Sequence, residues 1–332
     1  MPAISDFLDR YWGKDQPKPP PISTGTAVAL LVAYTILYVA PFYLSSKTRP
    51  SPTLSRDSPP VIRARVTSVS LTCVLCSGIT FILLNSNPRK DNGAGVGVAG
   101  ALHSMGYWPL GIRETFNSLL LTAILFAGPL YESLVVNGGW RALASFRPVA
   151  AVFGEWIPWR NFIVGPLTEE LLFRTSSVPL MLLSRSPPSQ TIFLSPLIFG
   201  LAHLHHFYEF RLTHPSVPVL GAVLRSALQL GYTTLFGAYA TFLFLRTASL
   251  PAIFFVHAFC NVMGLPRLWG RVEPELEYDY DGDGSRGGKV KKMRSIMWSV
   301  VYYLLLVAGA VGWYKNLGTL TRSDNALVDI DI

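Results

Sequence analysis

The chain has 332 residues, half of them hydrophobic and only 14% charged, with a mean hydropathy of +0.36. Soluble domains carry about 25% charged residues, so this deficit excludes an ordinary water-soluble globule and makes lipid the main solvent. The net charge of +8 falls in short linkers between apolar runs, the positive-inside pattern of a polytopic membrane protein rather than a nucleic-acid surface, and no nucleic-acid partner is expected.

Residues 1–22 are polar and Pro-rich, with no cleavable signal peptide in view. The first apolar run, 23–45, is long enough to remain in the bilayer. Further runs follow at 66–84, 115–136, 161–184, 191–206, 217–245, 250–264 and 294–314. The expected fold class is all-α, a polytopic integral membrane protein of about eight transmembrane helices. Runs 191–206 and 250–264 fall short of a full span, so they are tilted, partly re-entrant, or lined by protein. No internal repeat is convincing. The Gly-rich stretch 85–114 reads as a flexible loop. Segment 267–293 is basic, then acidic, then basic; its Asp-Tyr-Asp-Gly-Asp-Gly core lacks a helix-loop-helix frame and a closing Glu, so a solvated loop is favoured over a calcium site. Cys73, Cys76 and Cys260 all lie in apolar runs and read as packing residues rather than a disulfide framework.

The linker after the first run holds Lys47, Arg49, Arg56, Arg63 and Arg65, which places it in the cytosol. Counting each run as one crossing puts 137–160 and 267–293 in the cytosol too, and both termini in the lumen.

Several ionisable groups interrupt these runs, each costing about 2.5–3.5 kcal/mol on insertion scales. In Gly165-Pro-Leu-Thr-Glu-Glu-Leu-Leu-Phe-Arg-Thr175, Glu170 and Arg174 are four apart on one helical face and can pair. Glu169 is rotated by about 100° from Glu170 and is free to face a cavity, where it suits a general base acting on water. In Phe199-Gly-Leu-Ala-His-Leu-His-His206, Phe199 and His203 share a face, so the ring can pack under the imidazole. His203 is read as functional. His205 and His206 lie nearer the interface as solvated or supporting groups, with His206 a candidate for substrate contact. His257 and Asn261 share a face of another run, and both can donate hydrogen bonds to an oxyanion; an interhelical hydrogen-bonded pair is the alternative. Arg225 and Gln229, again four apart, either meet a substrate carboxylate or bond between helices. With Glu169 about 12 Å deep, and His203, His257 and Asn261 in cytosolic halves of returning helices, the four groups can meet in one cytosol-facing intramembrane cavity.

Glu169-Glu170-x-x-x-Arg174, Phe199-x-x-x-His203 and His257-x-x-x-Asn261 together resemble the three motifs of the type II CAAX prenyl protease (Ras-converting enzyme) branch of the CAAX protease and bacteriocin-processing family. The flanking text, including Tyr232-Thr-Thr-Leu-Phe-Gly237, is similar too, and the likeness covers 156–266. The resemblance implies removal of the C-terminal tripeptide from farnesylated or geranylgeranylated CaaX proteins, such as small GTPases, at the cytosolic face of the endoplasmic reticulum. It implies that Glu169 and His203 activate water and that His257 and Asn261 stabilise the oxyanion. From the residues themselves, neither a cofactor nor a metal is expected. The chain then divides into the polar segment 1–22, three helices and linkers over 23–155, a catalytic core over 156–266, the charged loop 267–293, and a last helix with its tail over 294–332.

Four other chemistries compete. A thiol protease would use Cys260, but no Lys or Arg lies within a helical turn to activate it. A zinc protease would take Glu169, His203 and His257 as ligands, but no H-E-x-x-H is present. A transporter with a Glu/His site would more often show inverted repeats, and a pseudoenzyme would not need the four groups intact.

Overall fold

The computed structural model describes residues 19–51, 55–87, 97–274, 278–280, 286–289 and 296–331. Helix starts follow local chemistry. Ser23 caps α1 (Thr24–Leu44) by accepting a hydrogen bond from the Thr26 N–H, and Pro59 and Pro60 open α2 (Pro59–Ser86) with their fixed φ. A short α3 (Val98–Ser104) leads to α4 (Ile112–Leu125) and α5 (Ala127–Val136), which meet at a bend of 81°. Then come α6 (Gly139–Ala144) and α7 (Arg147–Gly154).

The next element, α8, runs over 156–183 and is not a uniform helix. Its α-helical turns Trp156–Trp159, Gly165–Glu170 and Val178–Leu183 alternate with π-helical Arg160–Val164 and Leu171–Ser176. Wider turns of this kind occur mostly at functional sites, because each re-aims the side chains beyond it. It is followed by α9 (Pro188–Ala202), α10 (His205–Thr213), α11 (Val219–Thr247) and α12 (Leu250–Met263), the last capped by Ser249. A small antiparallel ribbon, Tyr278–Tyr280 with Arg286–Lys289, precedes α13 (Ile296–Leu320).

Among the described residues, four helices are long and apolar enough to cross a membrane: α1, α2, α11 and α13. The bent pair α4–α5 makes a fifth if it is one span. The all-helical, multi-pass architecture therefore stands, while the expected eight single crossings are not reproduced one for one. The runs at 161–184, 191–206 and 250–264 are carried by interrupted or short helices that pack against protein. The acidic centre of the 267–293 loop and most of the 1–22 segment lie outside the described residues.

Two apolar clusters flank α8. One joins Leu31 and Tyr34 of α1, Cys73 and Cys76 of α2, Leu172 and Phe173 of α8, and Phe199 of α9. The other joins Val178 and Leu182 of α8 to Leu243–Leu245 of α11, Val256 of α12 and Leu327 of the tail. The tail is tied back by Leu327 N–H to the Leu245 carbonyl at 2.8 Å and by Arg246 Nη1 to the Ile330 carbonyl at 2.8 Å. With apolar contacts on both sides, α8 is the best-buried helix and a rigid mount for Glu169, Glu170 and Arg174.

Helices α9 and α11 approach closely through two glycines. A Cβ on Gly200 would lie 2.5 Å from Thr234 Oγ1, and one on Gly237 would lie 2.7 Å from Pro196 Cβ and 3.2 Å from Arg174 Nη2. Thr234 can rotate away, but the Pro196 ring cannot. Gly237→Val is therefore expected to separate α9 from α11 at an overpacking cost of about 1–3 kcal/mol, read as a lower thermal midpoint in detergent. An unchanged midpoint would show that the contact is slack.

Candidate active site

Glu170 is fully buried, and its Oε1 accepts two hydrogen bonds: Arg174 Nη1 at 3.0 Å and His257 Nδ1 at 2.6 Å. The first links residues one turn apart on α8; the second ties α8 to α12. The Arg174 guanidinium, 1% exposed, lies 4.8 Å from the Phe199 ring centre and 5.8 Å from that of Phe236. Aromatic faces carry partial negative charge, so they compensate part of the desolvation of this cation. Phe236 also packs on His257, with ring centres 4.5 Å apart. Together these contacts fix the imidazole of His257, whose Nε2 then faces Glu169 Oε2 at 3.8 Å.

Glu169, one residue round the helix, keeps 24% of its side chain accessible and lines a cavity of about 570 Å³. His203 lines the same cavity at the C-terminal end of α9. Its Nδ1 is 3.2 Å from the Phe199 carbonyl, which can only accept, so the proton sits on Nδ1 and the Nε2 lone pair is left open. The Phe199 ring meets the imidazole edge-on at 4.8 Å, the packing expected from the spacing of these residues. Asn261 is a third cavity residue, its Nδ2 donating to the Asn161 carbonyl at 3.0 Å. Tyr38 reaches in from α1 and shares a hydrogen bond with Thr168, beside Glu169, at 3.1 Å.

The structure thus brings Glu169, His203 and Asn261 to one cavity and sets His257 directly behind Glu169, 6% exposed. The first turns of α8 and the end of α12 supply Asn161 and Asn261, so the cavity is built from α1, α2, α8, α9, α10, α11 and α12. Cys260 packs into the apolar cluster around Leu243 and Val256, away from the cavity lining.

Arg225 and Gln229 depart from the sequence reading, and neither lines this cavity. The Arg225 guanidinium covers the Phe210 ring at 4.5 Å, in the wall of a neighbouring pocket of about 230 Å³, and Gln229 lines neither space. The start of α11 packs instead against α10, whose Phe210 takes the guanidinium. His206 does line the cavity, and its Nδ1 lies 3.2 Å from Glu209 Oε2. Glu209 also accepts from Arg65 Nη2 at 2.6 Å. Burial disfavours the charge on Glu209, but the His206 hydrogen bond and the charge and hydrogen bond of Arg65 outweigh it and hold this carboxyl down at about 2.

The ligand set considered for zinc, Glu169, His203 and His257, does not converge. Among the described residues, the one group whose ligand atoms all lie within 4.8 Å of one another is His205, His206 and Glu209. There Arg65 at 2.6 Å and Arg56 at 3.7 Å already neutralise Glu209, so a divalent cation would be placed beside two guanidinium groups.

The cavity also contains residues to which the sequence alone assigns no site role, Tyr38, Arg56, Arg65, Arg160, Asn161 and Tyr232 among them. In the sequence the arginines bear only on orientation. Glu209 was also missed, although its spacing three residues after His206 was a usable signal.

A family model described as type II CAAX prenyl endopeptidase Rce1-like matches residues 151–263. "Probable CAAX prenyl protease 2" of Schizosaccharomyces pombe is 35% identical over 86% of this chain and 90% of its own length. CAAX prenyl protease 2 of Arabidopsis thaliana is 38% identical over 75% of this chain and 82% of its own. The Homo sapiens protein of the same name is 32% identical over 82% and 84%. No solved structure matches the chain.

Proposed function

This chain belongs to the type II CAAX prenyl endopeptidase family, and from that premise we propose that it is an intramembrane endopeptidase removing the C-terminal tripeptide from prenylated CaaX proteins. The observation that carries the reading is one cavity holding an accessible carboxylate, Glu169, and an imidazole, His203, with its Nε2 lone pair open. Those are the two acceptors that a nucleophilic water needs.

In this mechanism Glu169 takes a proton from water while His203 Nε2 accepts the second O–H and orients the oxygen. The hydroxide attacks the carbonyl of the prenylated cysteine. Asn261 meets the oxyanion with its second amide proton, which is not engaged by hydrogen bonds to other described residues, while His257, with Nδ1 on Glu170 and Nε2 towards Glu169, stands behind that carboxylate and positions it. Glu169 then returns its proton to the leaving nitrogen, which departs as the free amine of the tripeptide. Glu170 and Arg174 do not meet the substrate; they hold His257.

Membrane placement follows from the substrate. A prenyl chain gains about 0.8 kcal/mol per buried CH₂ by staying in lipid, so a protease that receives it sideways has to be open to the bilayer. The cavity wall carries Arg56, Arg65 and Arg160, from the two basic linkers that the positive-inside rule assigns to the cytosol. We therefore place the cavity mouth on the cytosolic face of the endoplasmic reticulum membrane, with prenylated small GTPases among the substrates. The transporter reading has no support among the relatives.

The test is release of the free tripeptide, by mass spectrometry, from a farnesylated CaaX peptide and its unprenylated counterpart incubated with the purified protein in detergent. Release from the farnesylated peptide alone is expected; release from neither would refute the reading.

A further inference from the structure

The pocket beside the catalytic cavity is strongly basic. Arg49, Arg56, Arg65 and Arg225 line it against the single carboxylate of Glu209, with His206 and His214 completing the polar wall. Arg56, Arg65 and His206 line both spaces, so the two are contiguous through these side chains. Four guanidinium groups facing one acid leave an excess of positive charge in a partly enclosed space, an arrangement that favours an anionic guest.

Arg65 is held ready for such a guest. Its Nε and Nη2 donate to the Thr48 carbonyl at 3.2 and 2.9 Å, Nη2 also donates to Glu209, and its planar group covers Phe42 at 5.0 Å. Among the described residues Nη1 makes no hydrogen bond, so a rotationally fixed guanidinium keeps one edge open. The Arg56 guanidinium, 48% exposed, lies 3.7 Å from Glu209 and 3.8 Å from Asp57 but donates no hydrogen bond to the described residues.

Resting on the reaction proposed above, we infer that Arg56 and Arg65 receive the terminal carboxylate of the CaaX substrate and so set which peptide bond meets Glu169. The three residues beyond the scissile bond span at most about 10 Å when extended. A guanidinium anchor in the wall of the same cavity then counts residues from the C-terminus towards the reacting water. Arginine suits this task because its donors match both carboxylate oxygens. Both arginines are positioning residues: they act on register, not on the reacting bond.

The experiment compares farnesylated peptides ending in a free carboxylate or in a carboxamide, using full-length wild type, Arg56→Gln and Arg65→Gln in neutral detergent, with and without added phosphatidylserine. Wild type is expected to favour the acid by about tenfold or more in kcat/KM, expressed mainly in KM, as loss of a charge-assisted hydrogen bond implies. In both variants that ratio should fall towards one. Arg65 also anchors Thr48, so the decisive variant is Arg56→Gln, where the native side chain is half exposed and donates no hydrogen bond to the described residues. Equal cleavage of acid and amide by wild type, or variants that slow both substrates alike, would overturn the inference and leave the proposed reaction standing. An unchanged acid-to-amide ratio with an altered response to phosphatidylserine would also overturn it, and would assign the pocket to a lipid phosphate. Wild type that releases tripeptide from neither peptide would remove the proposed reaction, and this inference with it.

Discussion

Glu169→Gln is expected to lower kcat for tripeptide release by about 10²–10⁴-fold, the usual contribution of a general base, while leaving KM and the thermal midpoint close to wild type. The substitution preserves shape and polarity and removes only the capacity to take a proton. It should be structurally mild because Glu169 is not the anchor of the ion network: His257 Nε2 is 3.8 Å away from it, whereas Glu170 accepts from the same ring at 2.6 Å. A variant retaining more than a tenth of wild-type kcat would assign water activation elsewhere. His203 would be the first alternative, since its open Nε2 faces the same cavity.

Arg174→Met is expected to be the most destabilising single change in the site, at about 3–5 kcal/mol, because it strips a partner from a buried charge. Glu170 has no exposed surface, and its Oε2 meets no hydrogen-bond partner among the described residues. Without the guanidinium, only His257 would remain to compensate it, and both aromatic faces would lose the cation they enclose. Activity should fall together with stability, because the position of His257 depends on Glu170. Arg174→Lys should rescue little: an ammonium is more strongly hydrated and lacks the planar group that sits between the two rings. Thermal unfolding in detergent, beside an exposed control such as Arg141→Ala, provides the measurement. A midpoint for Arg174→Met equal to that of the control would mean that the network is ornamental.

Much of this site was legible in the sequence, for local reasons. Residues four apart on a helix share a face whatever the tertiary fold, so Glu170–Arg174 and Phe199–His203 could be paired in advance, and the structure pairs them. Long-range partners could not be read that way. Nothing in the His257-Ala-Phe-Cys-Asn261 spacing announces that His257 binds Glu170, 87 residues away, while Asn261 instead binds the Asn161 carbonyl. Arg225 shows the limit of face-sharing arguments, since a shared face does not identify what it faces; here it is Phe210 of α10.

The fold was legible at the level of class and less so in its count of crossings. Hydropathy marks apolar runs but does not separate lipid-facing helices from protein-lined ones. The run at 161–184 is apolar because it is the buried centre of the molecule, with residues 172–183 all buried. Its π-helical turns leave no periodic trace strong enough to read, because each shifts the register within five or six residues. The 81° bend between α4 and α5 interrupts a run that reads as one span.

In the proposed mechanism a carboxylate-activated water, not a metal-bound one, cleaves the peptide. The most direct measurement is cleavage of a farnesylated CaaX peptide by the purified protein before and after exhaustive treatment with a zinc-binding chelator, with Glu169→Gln alongside. An unchanged rate after chelation and a lost rate in the variant are expected. Activity abolished by the chelator and restored by added zinc would contradict that mechanism, and would move Glu169, His203 and His257 into a metal shell.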